Sequence, residues 1–426
     1  MTGDVATAAG AARTRAGLPR LLPPVPGTAE DLNAHLARFG PRPRASGAGP
    51  GRAFIEAVRQ AGLTGRGGAA FPVYRKLSGV HAAPGPKSAV ANGAESEPAS
   101  RKDAALLWHA PHLVLDGLQL AAEAAGATAL YLYLHAGTRR HIEKALAERA
   151  GADELPVTIV EAPRRFLAGQ ETALVSRING GPALPTYTPP RPSDRGVRRT
   201  PTLVQNTETL AHLALIARHG PAWFRTAGTA AEPGTMLVTL HTHRGTKVTE
   251  TEIGTSLHHL INDTHQAVLI GGYHGTWLEA GRMPALDNHT LRQHSAALGA
   301  GVIAALPDGY CGLRETARVV RYLAAESAGQ CGPCLNGLPR IALAMAELAG
   351  PRPSARTRAD LDRWAGLAEG RGACHHPDGA VRFVRSALTT FAAELGEHAS
   401  GRCTATTRDS FLPVPNGAPT EESDWR

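Results

Sequence analysis

Apolar and polar positions along this chain change period several times. Thr128–Leu134 (Thr-Ala-Leu-Tyr-Leu-Tyr-Leu) predicts a buried strand, and Pro156–Glu161 (Pro-Val-Thr-Ile-Val-Glu) predicts a second. Phe54–Ala61, Asp103–Ala124 (interrupted at Pro111) and Thr138–Ala150 space their apolar residues at helical intervals. Strands alternating with helices of this length predict an α/β fold, a parallel sheet with helices on its faces, over residues 51–230. Upstream, Thr28–Gly40 predicts one short helix. Thr28 is its expected cap, Leu32, Leu36 and Phe39 form its stripe, and Gly40-Pro41 stops it. The rest of residues 1–50, rich in Ala, Gly, Pro and Arg, reads as a flexible arm.

Further along, the pattern shifts. Met236–His241 and Gln266–Ile270 are strand-like, with a short helix expected at Ser256–Asn262, which predicts a small α+β module over 231–300. Residues 301–400 read as helices: Glu315–Ser327, Leu335–Leu348, Arg356–Leu367 and Gly379–His398. Their short connections predict a bundle. Residues 401–426 are polar and proline-containing and read as a frayed tail. Gly180–Pro201 carries six prolines and reads as a long irregular connection, the kind that tends to carry function.

Composition narrows the classes. A chain of 426 residues with 42% apolar and 19% charged residues can bury several cores and is not a disordered chain. Five cysteines exclude a disulfide-stapled scaffold and leave room for a metal or redox site. The net charge of +8 suggests nucleic acid, but only five of the 45 basic residues are lysine and no five stand in a row. A bias toward arginine that pervades the whole chain is not a binding patch, so no nucleic-acid partner is expected. A spanning helix needs about 20 apolar residues. Ala296–Leu306 is too short and Leu113–Leu134 is broken by Asp116 and Glu123, so no direct membrane insertion is expected. No apolar stretch precedes the first arginines, which leaves the cytoplasm as the expected compartment.

Four polar, turn-forming clusters flank the predicted strands. The first, Gly62-Leu-Thr-Gly65-Arg66-Gly67-Gly68-Ala69-Ala70-Phe71-Pro72, would let backbone N–H groups approach phosphate oxygens, with Arg66 and Lys76 near. It is neither a P-loop nor a dinucleotide fingerprint. The others are Asn92–Pro98, Gly169–Thr172 and Gln205–Thr209. Clusters so placed assemble a nucleotide site at the edge of a parallel sheet. Among the cysteines, Cys331-Gly-Pro-Cys334 has the spacing of iron–sulfur or zinc ligation; buried thiols are the alternative. Cys311 reads as core and Cys403 as an exposed thiol. The histidine pairs lack a third ligand at zinc spacing, and no G-x-S-x-G elbow is present.

On these residues the chain resembles the family of F-type flavoprotein subunits of NADH-quinone oxidoreductase, which includes diaphorase subunits of NAD-linked hydrogenases and formate dehydrogenases. The glycine loop matches the family's GLRGRGGAGFPTGLKW, and Asn92–Asp103 matches NADEGEPGTFKD. Phe166–Leu174 matches YICGEETAL, Pro201–Leu210 matches PTVVNNVETL, and Ser327–Gly337 matches SCGQCTPCREG. The resemblance implies a parallel-sheet FMN-binding domain, a small ubiquitin-like (SLBB-type) α+β domain and a C-terminal helical bundle. It implies FMN held by Gly65, Arg66, Gly67, Lys76, Asn92, Glu95, Asn206 and Thr209. Gln170 and Gln205 stand at two further cofactor-binding positions of the family. Glu97 and Glu171 would face NADH, and Phe71 would line its pocket. Cys331, Cys334 and Cys374 would hold an iron–sulfur cluster.

Several positions depart from the family pattern. Ala94 replaces an Asp, Gln170 a Glu, Gln205 an Asn, and Ala70 and Tyr74 replace glycines. Thr188 replaces a Lys, while Arg191 and Gly79 replace aromatics. Ala328 stands where the family has its first cluster cysteine, so three thiols remain. That leaves a [4Fe–4S] cluster with a fourth ligand (water, Ser327, His375 or His376), a [3Fe–4S] cluster, zinc, or no metal. The resemblance implies a flavin-dependent oxidoreductase passing electrons from NAD(P)H through FMN and an iron–sulfur cluster to a ferredoxin-like or membrane electron-transfer partner. The alternative is a degenerate, non-catalytic paralogue acting as a flavin-binding or assembly scaffold.

Overall fold

The computed structural model describes residues 17–25, 27–44, 50–417 and 421–426. Its first sheet contains β1 (Ser88–Gly93), β2 (Ala129–His135), β3 (Val157–Ala162) and β4 (Thr202–Asn206), all parallel, in the order β3-β2-β1-β4. Alternation along β2 explains both faces. Leu130, Leu132 and Leu134 join one core under the helices Pro111–Ala125 and Thr207–Phe224. Tyr131 and Tyr133 join another, closed by Leu174 and Val175 of the helix Glu171–Ile178. The two helices of the first face pack so closely that a Cβ on Gly117 would lie 1.9 Å from the Leu210 carbonyl oxygen. The chain steps outward from β1 to β3, then returns to place β4 on the other side of β1. The carboxyl ends of β1 and β4 therefore border the crevice where strand order reverses.

The second sheet contains β5 (Thr235–Thr242), β6 (Gly245–Glu252), β7 (Ala267–Ile270), β8 (Thr276–Glu279) and β9 (Val302–Leu306), in the order β6-β5-β9-β7-β8. Only the β5–β9 pair is parallel. Its central strand β9 comes from the apolar run Ala296–Leu306 and lies past residue 300, so the sheet extends beyond the expected module. The helix expected at Ser256–Asn262 is a single 3₁₀ turn, Leu257–His259, capped by Ser256.

Five helices follow: Gly312–Ala325, Leu338–Leu348, Thr357–Ala368, His376–Thr390 and Ala392–Ala399. Leu313, Val320, Ile341, Met345, Leu361 and Phe383 lie in their shared core. The single helix expected over Gly379–His398 is two, broken at Phe391, while the interruption expected at Pro111 within Asp103–Ala124 is present, at Ala110 just ahead of it.

Both ends of the chain differ from expectation. The first helix, Leu32–Phe39, is capped by Asp31, whose carboxylate accepts Ala34 N–H at 2.8 Å, and not by Thr28. Leu21 is fully buried, and the Glu250 carboxylate accepts the N–H groups of Arg20 and Leu21 at 2.8 and 2.9 Å. Residues 17–25 are thus packed and not a loose arm; the arm's residues 1–16, 26 and 45–49 lie outside the described residues. The expected frayed tail folds back on the bundle. Leu412 is buried and donates its N–H to Glu315 at 2.8 Å, and Thr406 N–H reaches the Gly309 carbonyl at 2.9 Å.

Candidate functional site

The site begins with two asparagines. Asn92 is the penultimate residue of β1, Asn206 ends β4, and the two are register partners at the crevice. Asn206 Oδ1 accepts Glu208 N–H at 3.0 Å and caps the helix Thr207–Phe224, while its Nδ2 donates to Asp103 at 2.9 Å. Asn92 Nδ2 donates to the Gly169 carbonyl at 2.8 Å. A Cβ on Gly169 would collide with Ser96 Oγ at 2.4 Å, so glycine is what lets the 166–171 loop lie against the segment after β1.

The glycine loop closes on itself. Thr64 and Pro72 form an antiparallel bridge, and Gly65 N–H donates to Phe71 O at 2.9 Å. Arg66 N–H donates to Thr209 Oγ1 at 2.9 Å, and a Cβ on Gly67 would stand 3.3 Å from Asn206 Cβ. The loop therefore lies bare over the N-terminus of a long helix, where N–H groups and the helix dipole favour an anion. Ala70, in place of the family glycine, holds φ +50°.

The charged residues divide. Lys76 Nζ lies 3.2 Å from Glu171 and 3.4 Å from the Val204 carbonyl, and both side chains of the pair are about a third exposed. The Arg66 guanidinium takes a different direction from the one expected of a phosphate ligand. It is buried and bonds the carbonyls of Thr235, Pro233 and Thr64 at 3.2, 3.4 and 3.2 Å. Burial also lowers its pKa. Glu95 accepts Ser100 Oγ and the N–H groups of Asp103 and Ala104, which fixes the start of the helix Lys102–His109. Glu97 accepts Ala99 N–H at 3.2 Å and Tyr273 N–H at 2.8 Å, bridging to the second sheet. Burial pushes its carboxyl up to about 7.

The two glutamines also differ. Gln170 Oε1 caps the helix Glu171–Ile178, accepting Thr172 and Ala173 N–H at 2.7 and 3.0 Å. Gln205 is buried, and its Nε2 has no hydrogen-bond partner. Phe71 is 41% exposed.

Residues that sequence reasoning missed lie beneath. Lys102 Nζ is 2.9 Å from both Asp103 and Glu208, Thr207 Oγ1 donates to Asp103, and Leu237 N–H donates to Glu208 at 2.9 Å. This buried network fixes the helix start behind Asn206 and ties it to β5. Its signal was present, because Lys102, Asp103 and Glu208 all fall inside the matched motifs. Tyr187 was also missed: it is 75% exposed, and neighbouring Thr186 N–H bonds Thr172 Oγ1 at 2.8 Å.

At the bundle end, Cys331 and Cys334 flank Gly332-Pro333, and Cys334 lies in the π-helical turn Pro333–Gly337. Cys334 is buried, and burial, the Cys331 thiol beside it and Cys374 push its thiol up to about 12. Cys374 is raised too, by burial and then by Cys331. The three thiols therefore lie near one another, a donor set that suits an iron–sulfur cluster. His376 is taken by Leu323 O at 2.8 Å and His274 at 3.0 Å, and the His375 side chain is fully exposed.

A phosphate-bearing flavin fits the first site on this geometry: a cradle that a Cβ would fill, a helix N-terminus, the partly exposed Lys76 ammonium and the orphaned Gln205 amide. Comparison with known proteins agrees. Residues 58–215 match the family model of the Nuo51 FMN-binding domain, and residues 314–398 match the NADH-ubiquinone oxidoreductase-F iron-sulfur binding region. The chain is 29% identical over 374 residues to the second NADH-quinone oxidoreductase F subunit of Rhizobium meliloti, covering 82% of this chain and 89% of that protein. It is 30% identical over 315 residues to the mitochondrial NADH dehydrogenase [ubiquinone] flavoprotein 1 of Dictyostelium discoideum, covering 67% and 66%. Among solved structures, an NAD+-reducing [NiFe]-hydrogenase in the H2-reduced state superposes with a TM-score of 0.75 at 26% identity, covering 85% of this chain and 64% of that one. Two family models in the expected order, relatives matched over most of their length and a shared fold place this chain in the family of F-type flavoprotein subunits of NADH-quinone oxidoreductases.

Proposed function

We propose that the chain is an NADH-oxidising electron-transfer subunit. When bound, FMN would take the electron pair from NADH, and an iron–sulfur cluster would carry electrons singly toward a protein acceptor. The observation that carries this reading is the meeting, at the carboxyl ends of β1 and β4, of the bare glycine loop, Asn92, Asn206 and the Lys76–Glu171 pair.

The chain's own residues do the positioning. Backbone N–H groups of the glycine loop and the Lys76 ammonium bind the phosphate end. The Gln205 amide supplies a buried donor to the flavin. Glu171 exchanges its bond to Lys76 for one to the incoming nucleotide. Phe71, retained from the family pattern, and Tyr187 offer exposed aromatic faces to the nucleotide, while Gly79 and Arg191 stand where two further family aromatics are missing. Glu97, with its carboxyl raised to about 7, can hold or release a proton near neutrality. Cys331, Cys334 and Cys374 would hold the cluster, with water or Ser327 as the candidate fourth ligand.

We assign the second sheet to an SLBB-type domain and the acceptor to a ferredoxin-like or membrane electron-transfer protein. No helix among the described residues is long and apolar enough to cross a membrane, and we assign the chain to the cytoplasm. An absorbance spectrum of anaerobically purified protein, before and after NADH, tests the reading. Flavin bands that bleach with NADH support it. Flavin that stays oxidised favours the flavin-binding scaffold, and absence of any chromophore after reconstitution with FMN and iron overturns both.

A further inference from the structure

Away from the three cluster thiols lies a second group that the electron-transfer function does not use. Cys311, Glu394, His398 and Cys403 place one ligand atom each within 4.8 Å of all the others, and the first three residues are buried. Cys311 precedes the helix Gly312–Ala325. Glu394 and His398 stand four residues apart on the helix Ala392–Ala399 and so share one face. Cys403 follows that helix.

We propose that these four residues form a structural zinc site. Cys311 Sγ is 3.7 Å from His398 Nε2, and Glu394 Oε1 is 3.9 Å from the same nitrogen. A tetrahedral zinc about 2.3 Å from sulfur and about 2.0–2.2 Å from nitrogen and oxygen spaces its ligand atoms about 3.4–3.8 Å apart. The group is near that geometry before any ion draws it in.

The outer contacts aim the donors at one point. His398 Nδ1–H donates to the Leu348 carbonyl at 3.1 Å, which leaves the Nε2 lone pair facing Cys311 and Glu394. Glu394 Oε2 accepts Gly312 N–H at 3.2 Å, while its other oxygen, Oε1, is buried with no partner. A buried carboxylate oxygen left unpaired is costly, and a cation is the partner that removes the cost. Cys311 Sγ accepts Arg314 N–H at 3.3 Å, the kind of bond that supports a metal-bound thiolate. Two thiolates, a carboxylate and a neutral imidazole around Zn²⁺ leave one net negative charge, at the N-terminus of the helix Gly312–Ala325 where the dipole favours it.

All four positions come from the protein, so the site is closed and structural. It would staple the start of the bundle, its last helix and the returning tail to one another. The tail then runs on along the bundle through Thr406 and Leu412.

The test is metal analysis of the purified holoprotein together with zinc-edge X-ray absorption. We expect one zinc per chain, with a shell of two sulfurs and two nitrogen or oxygen atoms. Cys403→Ala, at an exposed position, and His398→Gln should each lose the zinc. Cys331→Ser/Cys334→Ser should lose iron and keep the zinc. Tryptic cleavage after Arg402 or Arg408 should accelerate in Cys403→Ala, which keeps the proposal testable if His398→Gln fails to fold. Absence of zinc after dialysis against zinc chloride, a disulfide between Cys311 and Cys403, zinc retained in Cys403→Ala, or a shell of three or more sulfurs would each overturn the site.

Discussion

Glu326 accepts the backbone N–H of Phe166 at 2.9 Å and pairs with the Arg165 guanidinium at 3.1 Å. Glu326 ends the helix that leads into the cysteine loop. Phe166 begins the loop whose Gly169 holds Asn92. One nearly buried carboxylate thus joins the two halves of the candidate electron path. Glu326→Gln keeps the shape but weakens both bonds. We expect a loss of about 2–3 kcal/mol in urea unfolding, since hydrogen bonds to charged groups contribute about 1.5–3 kcal/mol each. In stopped flow, iron reduction should lag flavin bleaching more than in the wild type. Unchanged stability would mean that the contact is incidental.

The Glu97 carboxyl gives a pH dependence of definite sign. Its folded value of about 7 lies above the ordinary 4.5 because burial disfavours the charge. Between those values the folded state binds more protons than the unfolded one. Its contribution is complete below about pH 4.5, declines as pH rises, and is gone above about pH 7, a span on the order of 3 kcal/mol. Glu97→Gln should flatten this slope in unfolding titrations taken from pH 4.5 to 7.5. An identical slope in the variant would refute the assignment.

Ala70 carries left-handed backbone at φ +50° in a loop where the family has glycine. That conformation costs an L-residue about 1–2 kcal/mol, and glycine returns part of the gain through its freer unfolded chain. Ala70→Gly should stabilise the protein by about 1 kcal/mol, read from the urea midpoint. A destabilised variant would show that the Ala70 methyl makes a packing contact worth more than the strain.

Lys76 is a partly exposed cation beside the end of β4, and Arg66 has turned to backbone carbonyls. Lys76→Met should therefore weaken FMN by on the order of 10–100-fold, the effect of losing one charge-assisted phosphate contact. Lys76→Arg should recover part of it. Equilibrium dialysis with FMN gives both numbers. Equal affinity in all three proteins would shift the phosphate to the backbone alone.

Much of this was legible because its signals are local. Alternation along Thr128–Leu134 announced β2, and helical spacing announced the bundle. Three polar clusters follow β1, β3 and β4 and share one edge, as strand ends do in any parallel sheet, whereas the glycine loop precedes β1 and joins them through Arg66 N–H to Thr209. What was hidden is non-local. β6 (Gly-Thr-Lys-Val-Thr-Glu-Thr-Glu) is a polar edge strand with only Val248 and Thr251 buried, so it lacks an apolar alternation to read. β9 is a short apolar run whose place between β5 and β7 depends on partners far away in the chain. The direction of Arg66 follows from carbonyls at residues 233–235, and the caps at Asp31 and Gln170 follow from which oxygen reaches which N–H. Cys311 and Cys403 look unrelated over 92 positions of sequence until the bundle folds.

Ala328 gives the last prediction. It sits just before Gly329, whose backbone acts on the Cys334 thiol, so position 328 is close in the chain to that thiol. Both ring nitrogens of His376 are occupied, by the Leu323 carbonyl and by His274. A fourth thiolate at 328 would complete the Cys₄ set that holds a [4Fe–4S] cluster. Ala328→Cys should raise iron per chain and slow the loss of cluster absorbance in air. The Cys334→Ser control should lose iron with or without the added cysteine. If Ala328→Cys instead leaves iron content and air stability unchanged, the native three-thiol site is already complete with its own fourth ligand, and the alanine is no defect.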